Sequence, residues 1–414
     1  NMTIIKLTAE HMKVKQENAL DLFYSGIKAK ATKDRWARIL SRFLEEACEE
    51  IFEGDYKQRA QKFVDLTRES QEQATQLVIS YVQLLKQRTE LDRKDPSYLN
   101  PSSLPNFVKP IRKLLDMNSL GLAWPRIYSI YPEKDNISQG RGYTREEIQT
   151  LLTHSDSLST DFIILAMSSG AFRAGGWEGM TWGNVFPIYQ CNDEFCLESD
   201  KNQDGKVVCA GMEIYHGTSD AYTALISIEA WEKLQQYKQA WTSKMGRTPK
   251  DSEPLILEKY ISPTPMTTVA VQRRLEKLLR KSGLRAPLTE GKRRHTVPTT
   301  NGLRRFANMA MMKTSRKRGT LSALVIKERL LGHSGLVNTD KNYFWTGILD
   351  MIPDYLEAMP ELLISEKYRL ANKLDEETKQ VEKLQDENRE KDAVLEKMRE
   401  LEAKVERMSR YRRK

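Results

Sequence analysis

Between Ile364 and Met408 the chain repeats apolar residues at three- and four-residue spacings, with glutamate and lysine between them. These spacings place side chains on one face of a helix, so the pattern predicts a single long, charged helix. Because the apolar stripe is narrow and both flanks are charged, it favours a short coiled coil over an amphipathic helix packed on its own protein. Polar Asn388 and Lys391 interrupt the stripe, and such residues often set the register and the number of partners. The stripe consists of Leu370, Leu374, Val381, Leu384, Leu395, Met398, Leu401, Val405 and Met408.

The rest of the chain divides by its patterns into three parts. Residues 1–130 have helical periodicity almost throughout, and residues 131–142 are rich in turn-forming residues, which predicts a linker. A second domain is then predicted over 143–365, followed by the coiled-coil helix over 366–414. A linker of this kind would allow two domains to close around a bound partner.

The predicted second domain mixes helices with a few strands. Thr144-Arg-Glu-Glu147 is a capping box, which predicts that a helix begins there. Strand-like runs start at Val185, Glu213 and Thr223, and helices are predicted at about 228–245 and 267–282. The predicted fold class is therefore mainly α with a small antiparallel β-sheet (α+β).

Charge and composition point to a polyanionic partner. The chain has 39% hydrophobic and 30% charged residues, a formal net charge of +9 and a pI of about 9.1. A basic protein of this size fits a nucleic acid, although a merely basic enzyme would have the same composition. No apolar run approaches a membrane span and no signal peptide opens the chain, so we expect no membrane and a cytoplasmic, nucleoid-associated location.

Three of the four cysteines lie close together in the sequence, at Cys191, Cys196 and Cys209, with His216 nearby. Three thiolates and one imidazole would suit Zn²⁺. Because no Cys-x-x-Cys is present, incidental cysteines on a hairpin are the favoured interpretation and no metal site is predicted.

Two basic segments are predicted to touch a polyanion. In the first, Thr32 is predicted to cap a helix whose apolar stripe is flanked by basic residues. The second is a basic loop that precedes residue 299. A solvated charged surface is the alternative for both segments. The basic residues are Lys33, Arg35, Arg38 and Arg42 in the helix, and Lys292, Arg293 and Arg294 in the loop.

Three further segments, at 168–185, 299–311 and 329–345, each predict a helix or helix edge that presents a polar residue beside an apolar face. The polar residues are Arg173, Arg304, His333 and Tyr343. Guanidinium groups bind the oxygens of a phosphodiester and stabilise the charge of its transition state. A tyrosine hydroxyl is able to attack phosphorus and become covalently linked to the strand. Together these residue types predict cleavage of a DNA phosphodiester without a metal.

The arrangement resembles the tyrosine recombinase (phage integrase) family over about 143–365. In that family an arginine, a lysine on a β-hairpin, His-x-x-Arg, Leu-Gly-His and a tyrosine follow one another. Here Arg173 follows Ser-Gly-Ala-Phe, Asn301-Gly-Leu-Arg304 occupies the His-x-x-Arg box, and Leu331-Gly-His333 matches the Leu-Gly-His box. Tyr343 lies ten residues after His333, where nine is commoner. The motif Asn-Gly-Leu-Arg-Arg-Phe and the hairpin from Glu213 are similar to those of the archaeal branch of the family, whose members belong to mobile genetic elements.

The resemblance implies a role for each residue of this set. The two arginines clamp the scissile phosphate, His333 donates to it, and Tyr343 is the nucleophile. Tyr355 and Tyr368 are poorer candidates. Asn301 stands where the family has a histidine, and an amide cannot accept a proton at neutral pH. The general base would then be His333, His295 or water.

The lysine that would protonate the leaving 5′-oxygen is not marked by a motif. Lys201 and Lys206 precede the strand at 213, while the turn after it carries His216. Lys206 is predicted to be this lysine, and a solvated lysine without a catalytic role is the alternative.

The resemblance implies a site-specific integrase that cleaves and rejoins double-stranded DNA through a 3′-phosphotyrosine, with no cofactor and with four protomers on two paired sites. A telomere resolvase or a type IB topoisomerase would use the same chemistry. A catalytically inactive DNA-binding protein with a coiled-coil dimer is the alternative of a different class, and Asn301 favours it.

Overall fold

The computed structural model describes residues 18–133, 140–191, 194–197, 205–259, 264–288, 295–318, 327–332 and 347–411. Within these ranges the chain forms two compact units, one up to residue 133 and one from residue 140 onwards. Most of this part is helical and is accompanied by a small antiparallel sheet, which confirms the predicted mainly α fold class. None of the helices described there is long and apolar enough to cross a membrane.

The first unit is a bundle of short helices around an aromatic core. The rings of Phe43 and Phe63 meet edge to face with centroids 5.3 Å apart, and both side chains are fully buried. A π-helix, Arg42–Ala47, continues directly from α2. The α-helices are α1 (Ala19–Ser25), α2 (Lys30–Ser41), α3 (Tyr56–Glu69), α4 (Gln71–Glu90), α5 (Pro105–Met117) and α6 (Trp124–Tyr128).

Helix α2 begins earlier than its sequence suggests. Its first residue is Lys30, its N-cap is Ala29, and no side chain caps it. The amide of Lys33 already donates to the carbonyl of Ala29 at 3.0 Å, so Thr32 lies within the first turn. The predicted capping role of Thr32 is therefore wrong.

The second unit contains the remaining helices. The capping box at its start is confirmed, since the Thr144 side chain accepts from the Glu147 amide and the Glu147 side chain accepts from the Thr144 amide. The helices are α7 (Arg145–His154), α8 (Leu158–Gly170), α9 (Ile228–Met245), α10 (Thr268–Lys281), α11 (Thr299–Arg318), α12 (Ile352–Leu362) and α13 (Glu366–Tyr411).

The second unit also contains the sheet, in which four strands pair antiparallel in the order β2-β1-β3-β4. In the register of the β3–β4 pair, Ile214 lies opposite Tyr222 and Cys209 lies opposite Ser227. A separate two-stranded ladder joins β5 to β6. The strands are β1 (Val185–Cys191), β2 (Glu194–Leu197), β3 (Lys206–Ile214), β4 (Tyr222–Ser227), β5 (Leu257–Lys259) and β6 (Thr264–Pro265).

Apolar side chains cover both faces of the sheet. Successive residues of a strand point to opposite faces of the sheet. On one face, Met212 and Ile214 belong to a buried cluster together with residues of α8. On the other face, Cys209 belongs to a second cluster together with residues of α11 and α12. The sheet is thus packed between helices. This packing sets where the ends of α8 and α11 lie relative to the turn between β3 and β4.

The cysteines of this region do not form a metal centre. Cys191 and Cys196 are joined by a disulfide across the β1–β2 hairpin. Cys209 is fully buried, and burial raises the pKa of its thiol to about 12. Within the described ranges, no three His, Cys, Asp or Glu side chains are grouped so that they could hold a metal ion.

Helix α13 is continuous over 46 residues, from Glu366 to Tyr411. Its start is fixed by Glu229, a buried carboxylate that accepts from the amides of Ile364 at 2.8 Å and Ser365 at 3.1 Å. Beyond this anchor the part of the apolar stripe from Leu370 to Leu401 is open to solvent. The exposed fraction is 65% for Leu374 and 58% for Leu384.

Candidate functional site

Arg304 lies on α11, whose first turn is held by a buried ion pair. The guanidinium of Arg285 donates to Glu276 at 3.0 Å and to the Thr299 hydroxyl at 2.6 Å, and its side chain is only 5% exposed. The Tyr143 hydroxyl donates to the Thr299 carbonyl at 3.1 Å. These contacts determine where Arg304 is presented, about one turn further along the helix.

The Arg304 guanidinium faces the segment that precedes His333 in the sequence. Its Nη2 donates to the carbonyl of Leu331 at 2.8 Å. Burial lowers the pKa of Arg304, and the charge of Arg173 lowers it further. An arginine stays protonated under such conditions, so two positive charges act on each other here.

Arg173 reaches the same place from the end of α8. The helix ends at Gly170, Ala171 takes the left-handed conformation with φ of 53°, and Arg173 then leads into a 3₁₀ turn, Ala174–Trp177. The Arg173 side chain is exposed to solvent. Its charge is therefore available to an anionic ligand.

Two tyrosines of the β3–β4 hairpin complete this surface. The rings of Tyr215 and Tyr222 lie 6.4 Å apart. Burial raises the pKa of Tyr222, while the charges of Arg304 and Arg173 act in the opposite direction. The Tyr215 hydroxyl lies against the backbone of Gly175, where an added Cβ would be 3.1 Å from it.

Gly332 is required by the same packing. Its φ is 64°, which disfavours other residues, and an added Cβ would lie 2.2 Å from the Tyr222 ring. Only a glycine at position 332 therefore allows the backbone to come this close to the Tyr222 ring. We call Arg173, Arg304, Tyr215, Tyr222 and the Leu331-Gly332 backbone the arginine cluster.

The arginine cluster can bind a phosphodiester. Two guanidinium groups supply several N–H donors in fixed planes, and such forks match the geometry of phosphate oxygens. Partial burial of Arg304 strengthens its interaction with an anion relative to a fully solvated arginine. The cluster therefore has the donors and the charge to stabilise a phosphorane-like transition state.

Several predicted site residues lie outside the described residues, namely His333, Tyr343, Lys292, Arg293 and Arg294. In the sequence His333 directly follows Gly332, which belongs to the arginine cluster. Asn301 is exposed on α11, three residues before Arg304.

The rival tyrosines have structural roles. The hydroxyl of Tyr355 is fully buried and donates to the Ser169 carbonyl at 3.3 Å. Burial raises its pKa well above the ordinary value. Tyr368 donates to Glu232. Neither hydroxyl is presented to the arginine cluster by these contacts.

Lys206 is not brought to the arginine cluster. It is the first residue of β3, whereas the cluster adjoins the last, and the eight intervening steps span about 26 Å. Its ammonium group pairs with Asp375 of α13 at 2.7 Å.

The basic residues of the first unit lie along α2 and the π-helix that follows it. Arg35, Arg38 and Arg42 are exposed, whereas Lys33 is half-buried with its ammonium group 5.1 Å from the centre of the Tyr24 ring. Arg42 also lies 4.0 Å from Glu46, one turn along. The exposed arginines thus form a basic strip on this unit.

Sequence reasoning missed Tyr215 and Tyr222. Both stand in a strand-like run, where tyrosine is common, so their identity carried no signal. Their pairing across the hairpin, together with the turn at 215–221, would have been the only indication.

No protein-family model matches the sequence, and no curated protein matches it. Solved structures are similar to it at low identity. The Tn1549 transposon integrase in complex with transposon right-end DNA is 12% identical with a TM-score of 0.45, over 82% of this chain and 99% of that chain. The XerH site-specific recombinase bound to difH substrate is 14% identical with a TM-score of 0.41, over 78% and 91%. The XerA recombinase is 14% identical with a TM-score of 0.32, over 77% and 96%. At these sequence identities and TM-scores the likeness does not assign a function. A function has to be argued from the residues of the arginine cluster instead.

Proposed function

We propose that this protein is a site-specific DNA recombinase of the tyrosine type, an archaeal-type integrase of a mobile element. The observation that carries the proposal is the meeting of Arg173 and Arg304 beside Leu331-Gly332. These residues come from segments far apart in the sequence, and each belongs to one box of the recombinase pattern. In the sequence His333 directly follows Gly332, and Tyr343 lies ten residues after His333.

In the proposed reaction the two arginines hold the non-bridging oxygens of the scissile phosphate, with His333 as a further donor. The Tyr343 hydroxyl attacks phosphorus, the bond to the 5′-oxygen breaks, and a 3′-phosphotyrosine with a free 5′-hydroxyl results. The tyrosine proton passes to His333, His295 or water, and Asn301 contributes a hydrogen bond only. Because the phosphotyrosine bond conserves the energy of the phosphodiester, rejoining needs no nucleotide and no metal.

The remaining predicted regions are assigned to DNA binding and assembly. Residues 1–130 are proposed to grip the duplex, with Lys33, Arg35, Arg38 and Arg42 against phosphates, and 131–142 to link them to the catalytic domain, 143–365. Lys292, Arg293 and Arg294 are proposed to contact the DNA backbone. Residues 366–414 are proposed to form a coiled coil within a tetramer on two DNA sites, in the cytoplasm on the nucleoid.

Covalent trapping tests the proposed function. The protein is incubated with sheared genomic DNA from the organism that encodes it, which contains any natural site. Denaturation in detergent then removes every DNA fragment that is not covalently bound. Fragments that remain attached should share one sequence, and a nicked duplex with that sequence should accumulate the adduct, because loss of the short strand prevents rejoining. Retention of specific DNA before detergent, with no adduct afterwards, would support the inactive DNA-binding protein instead.

A telomere resolvase or type IB topoisomerase would also form the adduct. The product separates these two from a recombinase. A recombinase exchanges strands between two duplexes, whereas a resolvase leaves hairpin ends and a topoisomerase only relaxes supercoils. The exposed apolar stripe of α13 favours exchange, because exchange requires protomers on two sites to assemble.

Deletion of residues 372–414 tests the assembly role. The truncated protein keeps the Glu229 anchor at Ile364 and Ser365 and should stay folded, although it loses the Lys206–Asp375 pair. A solvent-exposed apolar stripe is stable as a coiled coil only when a second helix covers it, so deletion should lower the number of protomers, which light scattering gives as the measured mass divided by the mass of one chain. Cleavage of a single site should persist, while exchange between two duplexes should fall.

Two substitutions in the full chain provide a matched pair for the deletion. Leu384→Asp puts a charge on the stripe and should reproduce the smaller number of protomers, whereas Glu390→Gln on the polar face should leave that number unchanged. An identical number of protomers for the full chain, the deletion and Leu384→Asp would rule out self-association through α13.

A further inference from the structure

The turn between β3 and β4 carries an imidazole–carboxylate pair. His216 Nδ1 lies 2.7 Å from Glu213 Oε2. The Glu213 oxygen also accepts from the Asn184 amide at 3.4 Å, and Asn184 is buried and fixed by its own bonds to Thr181. The carboxylate is thus held from the interior side, while the His216 side chain is 66% exposed.

This pair holds the ring of His216 in one orientation. When Nδ1 is bonded to the carboxylate, Nδ1 carries a proton and Nε2 is directed away from it. A histidine in this arrangement can give a proton from Nε2 and take it back, and the carboxylate stabilises the protonated ring. An exposed His–Glu pair far from any ligand site would be a simple surface ion pair. Whether this pair has a function therefore depends on where it lies.

The location is the edge of the arginine cluster. Tyr215, the residue before His216, lies against Gly175 and near Tyr222. The Tyr222 ring lies against Gly332, and the carbonyl of the preceding residue, Leu331, accepts from the Arg304 guanidinium at 2.8 Å, so the turn and that guanidinium meet around the same ring. A phosphate held by Arg173 and Arg304 would therefore lie beside this turn. Lys206, in contrast, is at the opposite end of β3 in a pair with Asp375.

We propose that His216, positioned by Glu213, is the general acid that protonates the leaving 5′-oxygen during strand cleavage. This inference rests on the proposed function. As Tyr343 forms the new bond to phosphorus, the bond to the 5′-oxygen breaks, and the proton on His216 Nε2 passes to that oxygen to give a 5′-hydroxyl. In rejoining, neutral His216 accepts the proton of the attacking 5′-hydroxyl, and the tyrosine leaves and takes back its own proton from the group that accepted it in cleavage. Proton and electron pairs balance in both directions without a further reactant.

The test compares two leaving groups in the same duplex. One substrate has the natural 5′-oxygen at the scissile phosphate, and the other has a bridging 5′-sulfur, which leaves as a thiolate and needs no proton. His216→Gln keeps a hydrogen-bonding side chain that cannot donate a proton of this kind. It should slow cleavage of the natural substrate by about 10²-fold or more, the size of a general-acid contribution. It should cleave the sulfur substrate about as fast as the unchanged protein does.

Three variants complete the experiment. Arg173→Ala should be slow on both substrates, because the arginine acts on phosphate charge and not on the leaving group. Ser219→Ala, an exposed residue of the same turn, should be unaffected on both. Glu213→Gln should show a smaller version of the His216 defect that the sulfur also relieves, while Glu213→Asp restores part of the rate.

The outcomes separate this inference from the proposed function. Absence of an adduct with the unchanged protein would contradict the proposed function. An adduct with the unchanged protein and normal cleavage of the natural substrate by His216→Gln would overturn the role of His216 alone. An equal loss on both substrates would also overturn it, since it would indicate a binding or structural role. Melting temperatures show that the variants are folded.

Discussion

Replacing Tyr343 with phenylalanine is expected to abolish the covalent protein–DNA adduct while leaving DNA binding nearly unchanged. In the proposed reaction the phenolic oxygen forms the bond to phosphorus, so its removal leaves no nucleophile, whereas phenylalanine keeps the aromatic ring. The measurement is the adduct band on a denaturing gel with the nicked duplex, together with a binding titration under native conditions. The residual rate should fall below detection, which is the largest effect predicted for any single substitution in this chain.

Tyr355→Phe is the matched control for this experiment. The Tyr355 hydroxyl is buried and donates to the Ser169 carbonyl at 3.3 Å, so its loss should cost about 1 kcal/mol of stability without changing adduct formation per folded molecule. An adduct retained by Tyr343→Phe and lost by Tyr355→Phe would reverse the assignment of the nucleophile.

Arg304→Ala is expected to lower the cleavage rate by about 10²–10³-fold, the loss observed when one preorganised donor to a developing oxyanion is removed. Arg304→Lys should recover only part of this rate, because an ammonium group keeps the charge but lacks the planar fork. The rate is measured as single-turnover adduct formation with enzyme in excess. A stability measurement on the same samples gives the folded fraction.

Arg304 also has a structural contact, its bond to the Leu331 carbonyl at 2.8 Å, so the two roles must be separated. Arg305→Ala is the matched control, since Arg305 follows on the same helix and its guanidinium lies against Gly140 instead. We expect Arg305→Ala to keep the cleavage rate. A large loss of stability in Arg304→Ala, with an unchanged rate per folded molecule, would show that the arginine is structural only.

Part of the candidate site can be recognised from residues that are neighbours in the sequence. Arg173 and Arg304 are recognisable because their neighbours in the sequence form short motifs, and Gly332 is part of such a motif for a reason that the structure supplies. Its positive φ and its contact with the Tyr222 ring exclude a side chain. A motif can therefore be found from the sequence before the cause of each residue is known.

The proposed general acid, His216, could not be recognised from the sequence in the same way. Lys206 and His216 both lie near the predicted strand at 213, and only the extent of β3 distinguishes them. The strand runs from Lys206 to Ile214, which puts the lysine at one end and the histidine in the turn at the other. Lys206 and His216 are only ten residues apart in the sequence, yet they lie at opposite ends of the strand, because an extended chain advances by about 3.3 Å per residue.

The sequence by itself determined the features that depend on neighbours along the chain. These are the capping box at Thr144, the continuous helix α13 with its exposed stripe and the α+β class. The start of α2 was not among them, because Thr32 has the right residue type for a cap but the backbone turns at Ala29. Only the tertiary structure decided which groups meet: Arg304 with Leu331, Gly332 with Tyr222, and Glu229 with the start of α13. Such contacts join residues far apart in the sequence, and they depend on how helices pack on the two faces of the sheet, which periodicity within one segment does not encode.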